Sequence, residues 1–110
     1  MEIKNAKIVR TMLGYEDHGI LTCYLQLDYG VGVQSFGGYA FDQYDKQKKD
    51  RVGGAYGTEF VGRLLKTIGI EKWEDLPGKH IRVEADRDKV FRIGHILEDR
   101  WFDPKNILLK

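Results

Sequence analysis

The chain is poor in the residues that announce covalent chemistry. It has one cysteine, Cys23, so no disulfide can form within it, and one serine, Ser35, beside which the sequence sets no general base. Cys23 stands between Leu21 and Leu25 in an alternating segment, where an apolar setting keeps a thiol protonated and makes it a small core residue. An enzyme is therefore disfavoured. Charge of one sign is not in surplus either: the net charge of +1 argues against binding nucleic acid through bulk electrostatics, which needs a basic excess to displace counterions. Apolar stretches are broken by charge or glycine every few residues, well short of the roughly 20 that cross a bilayer. No membrane role is expected. No leader pattern precedes the first strand, and with a single cysteine the expected compartment is the cytosol.

What is present suits one folded domain over 1–110, since 42% hydrophobic residues with only two prolines can build a modest core. Residues Ile3 to Leu13 read as a strand that ends in the polar run from Gly14 to Gly19. Ile20 to Tyr29 alternates Leu21, Cys23, Leu25 and Leu27 against Thr22, Tyr24, Gln26 and Asp28, the period of two of a half-buried strand. Val33, Phe36, Tyr39 and Phe41 suggest a third strand, bulged at Gly37 and Gly38. The charged stretch Asp42 to Val52 reads as an exposed, mobile loop. Phe60, Val61, Leu64, Leu65 and Ile68 recur at helical spacing, with Thr58 as N-cap and Gly69 as the stop. Pro77 and Gly78 close a short turn-like connection, after which His80 to Ala85 and Val90 to Leu97 form a hairpin. The apolar tail, with Trp101, Phe102, Ile107 and Leu108, is expected to dock on the body or on a second copy. The fold class is thus α+β: a mainly antiparallel sheet of about five strands, in the order βββαββ, with one packed helix.

The stretch Arg51-Val52-Gly53-Gly54-Ala55-Tyr56-Gly57-Thr58 leads from a basic segment into the helix. Glycines there let a phosphate approach backbone amides at the positive end of the helix dipole, although neither the Walker A nor the dinucleotide spacing is met. Simple loop chemistry is the alternative. Phe36, Tyr39 and Phe41 could stack a flat base, with core packing the alternative for Phe36 and Phe41. Glu16, Asp17 and His18 group two carboxylates with an imidazole, or are a solvated turn. His80 and His95 lie on separate strands without ligand spacing, so neither metal nor cofactor is expected.

The segments EDHGILT (16–22), FGGYAFD (36–42), RVGGAYG (51–57), WEDLPGKHIRVE (73–84) and IGHILEDRWFDP (93–104) resemble a family of small phage and prophage proteins. The resemblance implies a phage-encoded accessory protein acting in the host cytosol. In character it is similar to anti-defence proteins that sequester nucleotide immune signals, such as cyclic oligonucleotides or cyclic ADP-ribose variants, in homo-oligomeric pockets. The site expected on that basis comprises Phe36, Tyr39, Arg51, Gly53, Gly54, Tyr56 and Thr58, joined by His18 and Trp101. Two alternatives stand beside it. One is an anti-CRISPR-like inhibitor that binds a host nuclease through Glu71, Glu74, Asp75, Glu98, Asp99 and Asp103. The other is a single-stranded DNA-binding replication accessory using the aromatics with Lys46, Lys48, Lys49 and Arg51, which the near-neutral charge disfavours.

Overall fold

A computed structural model describes residues 1–107. The chain is α+β, with eight strands and one α-helix among the described residues, in the order β1 (Glu2–Tyr15), β2 (Leu21–Asp28), β3 (Val33–Gly37), β4 (Asp42–Asp45), β5 (Asp50–Gly53), α1 (Ala55–Ile68), β6 (His80–Ala85), β7 (Val90–Gly94) and β8 (Trp101–Phe102). Six strands form one antiparallel sheet in the order β3-β2-β1-β6-β7-β8. Strands β4 and β5 make a separate hairpin.

Strand β1 organises the sheet. Its first half, to Lys7, pairs with β6, and its second half, from Lys7, pairs with β2. Val9 is left unpaired between Ile8 and Arg10, a bulge that bends the strand and lets it serve two neighbours. The sheet curls far enough that β3 approaches β7. Gln34 of β3 donates from Nε2 to the carbonyls of Asp86 and Arg87 in the β6–β7 turn, at 3.0 and 3.1 Å. The concave side holds the core.

Helix α1 fills that concavity because Phe60, Leu64 and Ile68 recur every four residues and are all buried. Phe60 is the centre of an aromatic cluster: its ring lies 5.8 Å from Phe36, 5.1 Å from Phe41 and 4.9 Å from Phe102, centroid to centroid. Burying each such side chain stabilises the fold by about 1.5–3 kcal/mol. Gly69 ends the helix in the left-handed conformation at φ 88°, returning its N–H to the Leu65 carbonyl, as the sequence implies.

Four sequence expectations need correction. The strand count is eight, because short strands escape a periodicity reading. The stretch Asp42 to Val52 is not a plain loop but the β4–β5 hairpin, turned at residues 46–49, where Asp45 Oδ1 accepts the amides of Gln47 and Lys48. The helix begins at Ala55 with Gly54 as N-cap, not at Thr58, because Gly57 lets the first turn close on Phe41. Strand β7 stops at Gly94 rather than Leu97. In the tail, Phe102 is buried and Ile107 packs on the core, while Leu108 lies outside the described residues. Among the described residues no helix is long and apolar enough to cross a membrane.

Candidate functional site

Beyond its pairing with β6, β1 runs on with β2 toward their turn, and α1 starts opposite that extension. Between them lies a cleft of about 810 Å³. Leu13 and Leu21 form one wall, because Leu13 is opposite Cys23 in the register and so shares its inward face. Phe41 lies in the lining, and Ala55, Thr58, Val61 and Gly62 of α1 make the facing wall. Gly53 and Gly54 close the end where the hairpin passes into the helix.

The start of α1 has no side-chain cap and no acidic residue in its first turn. Its first amides have no carbonyl partner within the helix and stand at the positive end of the dipole. Gly57 is buried, and a Cβ there would lie 2.7 Å from Phe41 Cβ. At Gly62 a Cβ would meet nothing within 4 Å, so that glycine holds the cleft open.

An ion pair sets the base of the hairpin. Arg51 Nη2 donates to Asp42 Oδ1 at 2.8 Å and to the Asp42 carbonyl at 3.0 Å, while Asp42 Oδ2 accepts the Leu21 amide at 3.2 Å. The hydrogen bond from Arg51 holds the Asp42 carboxyl below the ordinary range and raises the Arg51 pKa in turn. The charge of Glu16 also acts on Arg51. Partial burial pushes the Glu16 carboxyl up, but the His18 side chain and the amides of Ile20 and His18 outweigh it and hold the group below its usual value.

The expected site residues therefore scatter over the molecule. Gly53, Gly54 and Thr58 line the cleft. Arg51 is at its margin and already engaged by Asp42, so it is not a free charge for a ligand. Tyr39 and Tyr56 belong to the aromatic cluster: each ring lies within 6.2 Å of Phe60, and burial raises the Tyr56 phenol pKa. Phe36 is buried in the core. His18 is an exposed turn residue bound to Glu16. Trp101 is on the outer face of the sheet, with its ring 4.2 Å from the Arg92 guanidinium and 4.9 Å from that of Arg82, away from the cleft.

Leu13, Leu21, Asp42, Val61 and Gly62 went unassigned in the sequence, although Leu13 and Leu21 flank one turn and Thr58 and Gly62 share a helix face. Cys23 is 1% exposed, and burial pushes its thiol up to about 12. Among the described residues no three His, Cys, Asp or Glu side chains come together as a metal site. Comparison with protein-family models, curated proteins and solved structures finds no match in any of the three.

Proposed function

We propose that the chain is a non-catalytic binding protein that sequesters a nucleotide-type ligand in the cleft between the β1–β2 extension and the start of α1. The observation that carries the proposal is the uncapped, acid-free helix start opening into a cleft of about 810 Å³, within the roughly 300–1,000 Å³ of small-molecule sites. Leu13, Leu21 and Val61 offer apolar contact to a flat base. The first-turn amides and the Thr58 hydroxyl offer donors to a phosphate. Such a site provides affinity without an activated nucleophile, which suits capture of a phage-relevant immune signal in the host cytosol.

Assembly into a homo-oligomer belongs to the same proposal. Val31 and Val33 are exposed on and beside the edge strand β3, whose unpaired backbone suits pairing with another copy. Light scattering on the purified protein tests it, and a monomer at working concentration removes that part.

The direct test is a thermal-shift panel of cyclic dinucleotides, cyclic trinucleotides and cyclic ADP-ribose variants. A ligand at 100 times its Kd adds about 2.7 kcal/mol of stability. Recovery of the ligand intact after denaturation separates sequestration from turnover. Leu13 and Tyr15 are 47% and 71% exposed beside the cleft, which favours a second reading in which an apolar side chain of a host protein enters it. A silent panel together with co-elution of a host protein supports that alternative.

A further inference from the structure

The outer face of the sheet carries a different chemistry from the cleft. Ala6 and Ile8 of β1, Cys23, Leu25 and Leu27 of β2, Ile81, Val83 and Ala85 of β6 and Ile93 of β7 are apolar and buried, so the residues alternating with them point outward. Among the described residues no helix covers these alternates. Lys7 lies beside His80 across the β1–β6 pair, and Arg10 lies beside Gln26 across the β1–β2 pair. On β6, Arg82 neighbours Gly94 of β7, which in turn faces Trp101 of β8. The glycine is required there, since a Cβ at Gly94 would lie 2.7 Å from the indole ring.

Trp101 is flanked by two guanidinium groups, Arg92 at 4.2 Å and Arg82 at 4.9 Å from the ring centroid. Arg92 is paired with Glu84. Arg82 instead donates to the carbonyls of His95 and Glu98, which fix its position without cancelling its charge. Lys7, Arg10 and Arg82 take part in no ion pair among the described residues. The acids near this band are Glu84, Asp28 opposite Lys7, Glu98, which is paired with Arg100, and Asp99, which accepts the Trp101 indole N–H; Asp28 Oδ1 also accepts the Gly30 amide. At the far side of the band, Tyr24 points outward between Met12 and Gly37. Trp101 is in register with Asn5 through Gly94 and Arg82, whereas Tyr24 is in register with Met12, farther along β1, so the offset along the strand adds to four strand spacings and the two rings are about 30 Å apart.

We propose that this face binds single-stranded nucleic acid, with phosphates over Lys7, Arg10 and Arg82 and bases stacked at Trp101 and Tyr24. The band is short, so it fits the lower end of the roughly 4–16 nucleotides seen for single sheet folds. Lys7, Arg10 and Arg82 are local cations outside any ion pair among the described residues, with Asp28 across the strand from Lys7, and a net charge of +1 for the whole chain does not describe them. A nucleotide-sized ligand in the cleft would leave this face free, so the two proposals stand independently.

Fluorescence anisotropy with a labelled oligothymidine tests the assignment. The wild type is expected to bind, with log affinity falling against log salt at a slope of about −2 for three phosphate contacts at about −0.7 each. Lys7→Glu with Arg10→Glu changes two exposed side chains without described partners, and it should weaken binding at least tenfold while leaving the melting curve in place. Indole emission in a Trp73→Phe background should be quenched on binding, because only Trp101 then reports. No binding by the wild type overturns the proposal, as does unchanged affinity in the double variant. Tighter binding to duplex of the same length overturns the single-strand assignment. The Gly62→Leu variant should bind the oligonucleotide like wild type; loss there would locate binding in the cleft and overturn this face.

Discussion

Gly57 and Gly62 lie five residues apart on α1 and are glycine for opposite reasons. At Gly57 a methyl group would collide with Phe41, so Gly57→Ala is expected to destabilise the protein by about 1–3 kcal/mol through overpacking. At Gly62 the added carbon meets nothing, so Gly62→Ala should stabilise by about 0.8–1 kcal/mol through helix propensity. Urea denaturation of the two variants gives both signs; equal effects would show that helix propensity alone governs the pair. Both letters look the same in a sequence. Only the approach of Phe41 from another segment distinguishes them: the sequence sets Gly57 with Gly53 and Gly54 in the glycine-rich entry to the helix without showing its contact, and it leaves Gly62 unmarked.

Asp42 is a second residue whose role depends on tertiary position. In the sequence it reads as one more charge in a charged stretch. In the fold its carboxylate joins the Leu21 amide to Arg51. Its folded-state pKa is lowered, chiefly by the Arg51 hydrogen bond, so its contribution is complete above the ordinary carboxylate value near 3.9 and is lost as pH falls through the folded value. Wild type should therefore exceed Asp42→Asn in stability at pH 7, with the gap narrowing as pH drops below about 4. Melting temperatures measured from pH 7 to pH 2 check this, and a gap that widens toward acid would contradict the assigned pair. Arg51, which the sequence reading sets in the expected ligand site, is the other half of the same contact.

Among the elements, β2, β6 and α1 are legible because each shows a sustained period of two or of three to four, and most of β1 is legible from its mix of β-branched and polar residues ending at a polar turn. The β4–β5 hairpin is not: its four-residue strands are polar on both faces and give no apolar alternation. The N-terminus of α1 was displaced for a related reason. The residues before Thr58 include three glycines, which look like loop until Gly57 is seen to be required against Phe41. The absence of acid in that first turn yields a prediction with two opposite signs. Ala55→Glu should stabilise the helix by about 0.3–1 kcal/mol through the dipole and should weaken any anionic ligand in the cleft. Thermal melting and ligand titration of the variant report the two effects separately. A gain in both would contradict an anion subsite at the helix start.

Across the whole molecule, one curled sheet presents two unlike surfaces. Its concave side takes α1 and leaves an apolar cleft where the β1–β2 extension outruns the helix start. Its outer side is polar and carries Lys7, Arg10, Arg82 and Trp101. The sequence places Arg82 and Trp101 far from Lys7 and Arg10, and the pairing of β1 with β6, and of β6 with β7 and β7 with β8, brings them onto one face. Net charge could not reveal such a band, and helix periodicity could not reveal the cleft, because half of the cleft wall comes from strands. The division also sets how each function can fail. A change confined to Gly62 should affect the cleft alone, and a change confined to Lys7 and Arg10 should affect the outer face alone.

The most direct test of the central claim is isothermal titration of wild type and Gly62→Leu with the nucleotide that gives the largest thermal shift. The leucine projects into open cleft space from a helical position, so the variant should fold at least as stably as wild type and lose at least tenfold in affinity. Equal affinity in a folded Gly62→Leu protein would contradict binding in the cleft.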